Sequence, residues 1–460
     1  MKFFFETYGC QMNIAESAAL ALAARERGWE EAESAEEADL LLINTCSVRA
    51  TAEQRVFGRL AHYASLKKKR SLSRHAQLAG QPLALVVAGC MAERLGNKLK
   101  ANGADYVMGT SARQRFPLIL EAVEQNRAYE ETAETPEFSF SSFHHDESNP
   151  FRSFVPIMHG CNNFCSYCIV PYVRGREVSR SPQAILEEIR LLSARGVREI
   201  TLLGQNVNSY CWEGEGGLAP LQSGHLDFPG LLRLVAANLN PANIDAGAGI
   251  RWIRFLSCHP KDFSDEAIRV MAEHPSICRH IHLPVQHGSD RVLEAMNRRY
   301  TRRQYLDLIG RLRSALPDVS LSTDILVGFP GETEEDLDET LSLMEEVKFL
   351  YAYMYHYNPR EGTAAYALPG RIDREAKGRR LSRVIALQKQ HTAALLKTRV
   401  GKEVTVLIEG ISRKNADELI CRTEHDEMVA VPGGPENLGS FVRLTLSSLR
   451  GHTFRAKEFI

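Results

Sequence analysis

Between His159 and Glu177 the chain reads HGCNNFCSYCIVPYVRGRE, which sets Cys161, Cys165 and Cys168 in a CxxxCxxC arrangement. Three thiolates on one short loop can bind three corners of a four-iron cubane, because cysteine thiolates are the usual ligands of iron–sulfur clusters. The motif supplies no fourth cysteine, so the fourth iron stays open to the amino and carboxylate groups of a small molecule. Structural zinc is the competing reading, with His159 as a fourth ligand. Zinc sites, however, are built from paired CxxC or His spacings, and a three-residue gap followed by a two-residue gap is not one of those.

A second set of cysteines is dispersed along the chain. Apolar stretches at Lys2–Tyr8, Asp39–Asn44 (DLLLIN), Leu83–Ala88 (LALVVA) and Ala104–Gly109 alternate with helical stretches at Ala15–Arg27, Ala50–Leu66, Met91–Lys100 and Pro117–Glu124. This alternation predicts a doubly wound parallel sheet over residues 1–128. Cys10 follows the first strand, Cys46 the second and Cys90 the third. Ligands gather beyond the carboxyl ends of open parallel sheets, so three strand ends are expected to present Cys10, Cys46 and Cys90 to one place as a second three-cysteine cluster site. The alternative is three unrelated buried thiols. The run Lys67–Arg74 (KKKRSLSR) reads as a basic surface loop.

The chain has 460 residues, about three domains at ~150 residues each. A hydrophobic content of 44% is enough for packed cores and excludes wholesale disorder. Lys plus Arg (56) balances Asp plus Glu (57), so only local patches can speak for or against a nucleic-acid partner. The apolar run Phe3–Phe5 is too short for a signal-peptide core, and no stretch approaches a membrane span. A cytoplasmic protein is expected, in which the ten cysteines are ligands or buried thiols rather than disulfides.

Residues 129–150 are acidic and aperiodic, a linker. From 151 to 385, strands at Phe154–Met158, Glu199–Leu203, Arg251–Leu256, His280–Leu283, Ser320–Ile325 and Ala352–His356 alternate with helices, one of them capped by Ser181 with Pro182 in its first turn. Six βα units argue a partial or full parallel barrel with its working loops after the strands. Those loops carry GQNVN (Gly204–Asn208) with a glycine-rich insertion to Gly217, SCHP (Ser257–Pro260), PVQHGS (Pro284–Ser289) and VGFPGET (Val327–Thr333). Arg174, Arg176, Glu177 and Gln205 are candidates for binding polar groups of a small molecule, and His287 reads as a satisfied histidine before an acid or base. Cys211, Cys258, Cys278 and Cys421 form no ligand pattern.

The tail, 386–460 with its leading helix, begins in a long amphipathic helix over Arg374–Val400 rich in Lys377, Arg379, Arg380, Arg383, Lys389, Lys397 and Arg399. These charges are a solvated face or a cationic strip toward phosphates. Short strands at Glu403–Glu409, Glu418–Thr423, Met428–Val431 and Phe441–Ser447 predict a small antiparallel barrel, a form that often binds single-stranded or looped RNA.

CxxxCxxC with Tyr167 before the last cysteine resembles the signature of radical S-adenosylmethionine (SAM) enzymes, and the tail resembles a TRAM domain. Over the whole chain YGCQMN (Tyr8–Asn13), NTCSVR (Asn44–Arg49), AGCM (Ala88–Met91), the Cys161 loop, GQNVNSY (Gly204–Tyr210), HLPVQHGSD (His282–Asp290) and GFPGET (Gly328–Thr333) resemble the methylthiotransferases, most of all the MiaB branch. Ala15 departs from the aspartate more usual there. The resemblance implies an α/β chain of three parts: N-terminal doubly wound sheet, central radical-SAM partial (β/α) barrel and TRAM-like β-barrel. It implies two 4Fe-4S clusters, SAM as cofactor, Tyr167 beside the SAM adenine, and tRNA at its anticodon stem-loop as partner, with an electron donor and a sulfur-replenishing partner to a monomer. One SAM methylates a sulfur held by the Cys10/Cys46/Cys90 cluster. A second yields a 5′-deoxyadenosyl radical at the Cys161/Cys165/Cys168 cluster, for attack at C2 of N6-isopentenyladenosine. Alternatives are another modified adenosine, a ribosomal-protein side chain, or a non-catalytic iron–sulfur RNA-binding protein.

Overall fold

A computed structural model of the chain describes residues 1–47, 50–74, 83–110, 115–127, 149–214, 225–239 and 249–460. The predicted linker, 129–150, lies outside the described residues except for Asn149 and Pro150, as does the insertion from 215 onward. The chain divides into two compact units. The first is Met1–His144 with His159–Asn162 and Cys168–Val178; the second is His145–Met158, Asn163–Tyr167 and Ser179–Ile460.

The first unit is built on strands β1 (Lys2–Tyr8), β2 (Glu30–Glu31), β3 (Leu40–Thr45), β4 (Ala84–Gly89) and β5 (Tyr106–Met108), in the order β2-β1-β3-β4-β5. All pairings are parallel. Helices α1 (Gln11–Glu26), α2 (Ala50–Arg74), α3 (Cys90–Ala101) and α4 (Phe116–Glu124) connect or follow them. Side chains alternate across a strand, so Leu40, Leu42, Val86 and Ala88 pack with Leu20, Ile119 and Leu120 of α1 and α4. Leu41, Ile43, Leu85 and Val87 pack on the other face with Val56 and Leu60 of α2 and Met91 and Leu99 of α3. The sheet is therefore covered on both faces, as its uninterrupted apolar strands require. The basic run 67–74 is a correction: it is the last part of α2, where Lys67 pairs with Asp105 and Arg70 donates to the Ala38 carbonyl.

In the second unit, parallel strands β6 (Arg152–Pro156), β7 (Glu199–Leu203) and β8 (Trp252–Phe255) form one sheet, and β9 (His280–His282), β10 (Ser320–Val327) and β11 (Tyr351–His356) another. A parallel bridge, Ile253 to Ile277, joins the two series into a partial barrel. Its helices are α6 (Pro182–Ala194), α7 (Phe228–Ala237), α8 (Asp265–Glu273), α9 (Asp290–Ala295), α10 (Arg302–Ala315) and α11 (Glu334–Val347). Local capping explains where several of them start: the side chains of Ser181, Asp227, Ser264, Thr301 and Thr333 each accept a backbone N–H of the first turn. Helix α12 (Arg374–Lys397) then leads to β12 (Glu403–Ser412), β13 (Asn415–Thr423), β14 (Met428–Pro432), β15 (Phe441–Thr445), β16 (Ser448–Arg450) and β17 (Thr453–Arg455). This sheet is antiparallel except for the parallel pair β14–β17.

The cationic strip on α12 is mostly used inside the protein. Arg380 pairs with Glu332 and Glu334, Arg383 with Glu334 and Asp338, and Lys377 donates to the Tyr357 carbonyl at 3.0 Å. The small sheet is docked by buried charge as well. Glu199, fully buried at the start of β7, takes Arg152 at 2.6 Å and Arg254 at 2.9 Å. Arg152 reaches Glu409 on β12, and Arg254 donates to the carbonyls of Thr423 and Glu424 after β13. Burial opposes ionisation of Glu199 and Asp426, but the surrounding arginines win and hold both below the ordinary carboxylate range, Asp426 at about 2. Carboxylates with depressed folded pKa values contribute stability that is full above their unfolded pKa and is lost as pH falls through the folded value. Glu199→Ala deprives the buried Arg254 guanidinium of its ion-pair partner and leaves Arg152 with Glu409 alone, and is expected to cost about 3–5 kcal/mol in urea unfolding at neutral pH. The deficit relative to wild type should shrink as pH falls below the ordinary carboxylate range.

Candidate functional site

The pairing register decides where the first cysteine set lies. Tyr8 of β1 pairs with Thr45 of β3, and Thr45 pairs with Gly89 of β4. Cys46 and Cys90 are thus the next residues beyond two adjacent strand ends, and Cys10 lies two residues beyond the third. Cys10 precedes α1 and Cys90 opens α3, so two of the thiols meet helix N-termini, whose partial positive charge favours a thiolate. A polar frame fixes the three loops. The Cys10 N–H donates to Asn13 Oδ1 at 3.2 Å, Asn13 Nδ2 donates to Asn44 Oδ1 and to the Thr45 carbonyl, and Asn44 Nδ2 donates to the Asn13 carbonyl and Ser17 Oγ. Gly89, at φ +93°, has no room for a Cβ against the Thr45 carbonyl and Asn44.

The first unit also holds both ends of the cysteine loop. The Cys161 N–H donates to the Gly175 carbonyl at 3.1 Å, and Asn162 donates to both carboxylate oxygens of Glu177. Gly160, at φ +77°, lies so close to the Arg176 carbonyl that a side chain would not fit. Glu177 thus closes the loop on itself, while Arg176 is exposed. His159 is buried. Arg174 ends a short helix, α5 (Val170–Arg174), and its guanidinium does not face solvent: Nη1 donates to Glu16 at 2.6 Å and Nε to Cys90 Sγ at 3.2 Å. Burial raises the Cys90 pKa, and Arg174 pulls it back toward thiolate. Arg174, read from the sequence as a SAM contact, is thus committed to the Cys90 side.

In the second unit the loop segment Asn163–Tyr167 is pinned from α9 and the residues after it. Ser166 N–H and Oγ donate to the carbonyls of Met296 and Ala295, and Asn297 Nδ2 donates to the Phe164 carbonyl. Arg298, buried, donates to Cys165 Sγ at 3.4 Å, to the Pro284 carbonyl at 2.7 Å and to Tyr300 Oη at 3.2 Å. Tyr167 is half-buried against Val292, Met296, Phe329 and Tyr357. Two of the loops after the strands are strained, with Ser257 and Gln286 at φ +66° and +72°. At these same carboxyl ends lie buried polar atoms with no hydrogen-bond partner: Gln205 Oε1, Asn206 Oδ1, His259 Nε2 and Tyr357 Oη. Such atoms are costly unless something polar meets them, so the barrel end is fitted for a polar ligand. His259 is kept neutral, its pKa pushed down to about 2 by burial and by Arg298. His287 is fully buried, its Nδ1 accepting the Ser289 N–H at 3.1 Å and its Nε2 3.5 Å from Glu332. Cys258, Cys278 and Cys421 are buried thiols with pKa values raised by burial.

The donors suit cubane clusters. Among the described residues no three His, Cys, Asp or Glu side chains are gathered tightly enough for one metal ion. A cubane spreads its thiolates more widely, since each bonds a different iron. The sequence did not single out Arg298, nor the contacts of Arg174 with Glu16 and Cys90. Each sits beside a second arginine in a short polar run, RGR and RRY, where local pattern cannot tell a buried cation from a surface one.

Residues 155–344 match the radical SAM superfamily, residues 2–109 the uncharacterized protein family UPF0004, and residues 397–457 the TRAM domain. A protein of Treponema pallidum named tRNA-2-methylthio-N(6)-dimethylallyladenosine synthase is 49% identical over 99% of this chain and 98% of its own length. Proteins of the same name from Treponema denticola and Bacteroides fragilis are 49% and 43% identical, each over 99% of this chain and over 99% and 95% of their own lengths. Among solved structures, the radical SAM methyltransferase TsrM of Kitasatospora setae shares the fold at 14% identity and TM-score 0.55, covering 79% of this chain and 77% of its own. With full-length relatives this similar, the chain belongs to the family of tRNA-2-methylthio-N6-dimethylallyladenosine synthases.

Proposed function

We propose that this chain adds a methylthio group to C2 of N6-dimethylallyladenosine (isopentenyladenosine) beside the anticodon of tRNA, with SAM as both methyl donor and radical source. The observation that carries the reading is the register Tyr8–Thr45–Gly89, which gives Cys10, Cys46 and Cys90 one strand edge in a chain that also bears CxxxCxxC. Cys161, Cys165 and Cys168 would hold the 4Fe-4S cluster of the radical SAM core, and Cys10, Cys46 and Cys90 an auxiliary 4Fe-4S cluster. When bound, these clusters supply the electron that cleaves SAM and the sulfur that is inserted, chemistry that no side chain offers toward an unreactive adenine C–H bond.

The protein's own part is to hold and orient. Asn13 and Asn44 set the spacing of the auxiliary loops. Arg298 holds Cys165 in place. The unpartnered atoms of Gln205, Asn206, His259 and Tyr357 offer donors and acceptors at the barrel end, where SAM and an unstacked base are both suited to bind. Tyr167 is the candidate for the SAM adenine. The TRAM barrel adds an RNA-binding surface, consistent with a tRNA partner. No described helix is long and apolar enough to cross a membrane, and cytoplasmic action as a monomer, served by an electron donor and a sulfur source, completes the proposal.

Nucleoside mass spectrometry of tRNA from a deletion strain should show the methylthio-dimethylallyladenosine lost and its unthiolated precursor accumulated; persistence of the methylthio nucleoside would remove this reading. Anaerobic reconstitution should load two clusters per chain, and replacing either cysteine triplet with alanine should remove one cluster's iron and labile sulfide. Cys46→Ala is expected to keep 5′-deoxyadenosine formation while abolishing sulfur insertion. Loss of both together would count against separate tasks for the two cysteine sets.

A further inference from the structure

Among the described residues of the first unit, Arg174 is the one buried arginine or lysine, with its side chain only 3% exposed, and its partner Glu16 is 1% exposed. A buried arginine–carboxylate pair is seldom kept for stability alone, because desolvation offsets most of the attraction. Three features say what this one is for. Its Nε donates to Cys90 Sγ at 3.2 Å, while Nη1 is tied to Glu16 at 2.6 Å, so the guanidinium plane is set before any ligand arrives. Its Nη2 is buried with no hydrogen-bond partner, a donor left open beside thiols. Its backbone is fixed too: the Thr110 hydroxyl donates to the Val173 carbonyl, and Val173 and Ile169 pack on Cys90. Only arginine has the geometry to donate along two directions from one rigid plane and keep a third.

We infer that Arg174, oriented by Glu16, is a positioning residue of the Cys10/Cys46/Cys90 site, which hydrogen-bonds the Cys90 sulfur, turns its remaining N–H toward the anionic sulfur of the bound cluster, and raises that cluster's reduction potential. This rests on the proposed reading that those three cysteines hold a cluster. Hydrogen bonds to cluster sulfurs and nearby positive charge both favour the more reduced, more negative state. The effect is to keep the sulfur-bearing centre distinct in potential from the radical-generating one.

The test uses the full chain with Cys161, Cys165 and Cys168 replaced by alanine, so that only the N-terminal site loads. Iron and labile sulfide are measured after anaerobic reconstitution, and the midpoint potential is followed by electron paramagnetic resonance. Arg174→Gln is expected to shift the midpoint to more negative values at unchanged iron content, and Arg174→Lys, which keeps the charge but not the fork, to recover part of the shift. An unmoved potential in a loaded Arg174→Gln chain overturns the inference. Should that variant fail to load, Arg174→Lys decides: a loaded chain with the parent potential also overturns it. If the parent chain itself binds no iron or sulfide, the cluster reading of the three cysteines fails instead.

Discussion

The parallel register of three neighbouring strands is the constraint on which the rest depends. Hydrogen bonding between β1, β3 and β4 aligns Tyr8, Thr45 and Gly89, and the residues that follow have nowhere to go but the same edge of the sheet. A one-residue slip of any strand would exchange its two apolar faces, placing Leu40 and Leu42 where Leu41 and Ile43 belong. The core on both faces thus protects the alignment of the thiols, so a packing requirement becomes a chemical one. The asparagine frame then refines it, with Asn13 and Asn44 each serving the other's backbone across the loops.

Buried charge is used in two ways. At the carboxyl ends of the strands, arginines sit on sulfur: Arg174 on Cys90 in the first unit and Arg298 on Cys165 in the second. A thiol buried in apolar surroundings resists ionisation, and a fixed guanidinium opposes that resistance without admitting water. At the other end of the second unit's sheet, the cluster of Glu199, Arg152, Arg254, Glu409, Arg422 and Asp426 ties the small barrel down through carboxylate pairs. The same residue types contact buried thiols in one place and hold a domain junction in the other.

The C-terminal helix changes meaning once its neighbours are known. As a sequence, α12 presents a row of cations suited to a phosphate backbone. In the fold, Arg380 and Arg383 meet Glu332, Glu334 and Asp338, and Lys377 caps the end of the last barrel strand through the Tyr357 carbonyl. Its charge steadies the loop that begins at Gly328. The TRAM match covers the antiparallel sheet beyond this helix.

Much was legible before any coordinates. Apolar alternation located the strands to within a few residues, cap residues such as Ser181 and Thr333 marked helix starts, and cysteine spacing pointed to two ligand sets. The strand, cap and CxxxCxxC signals are local, depending on residues a few positions apart, whereas grouping Cys10, Cys46 and Cys90 also required the strand order. The limits of local reading show at KKKRSLSR, where polarity suggested a loop but α2 continues because Lys67 and Arg70 find partners on other elements. They show again at Arg174, Arg298 and Arg380, whose partners lie 158, 133 and 48 residues away. No period or spacing encodes such pairs. Which cation is buried, which thiol it touches and which polar atom is left waiting were decided only when the strands aligned and desolvation made each unpaired charge expensive.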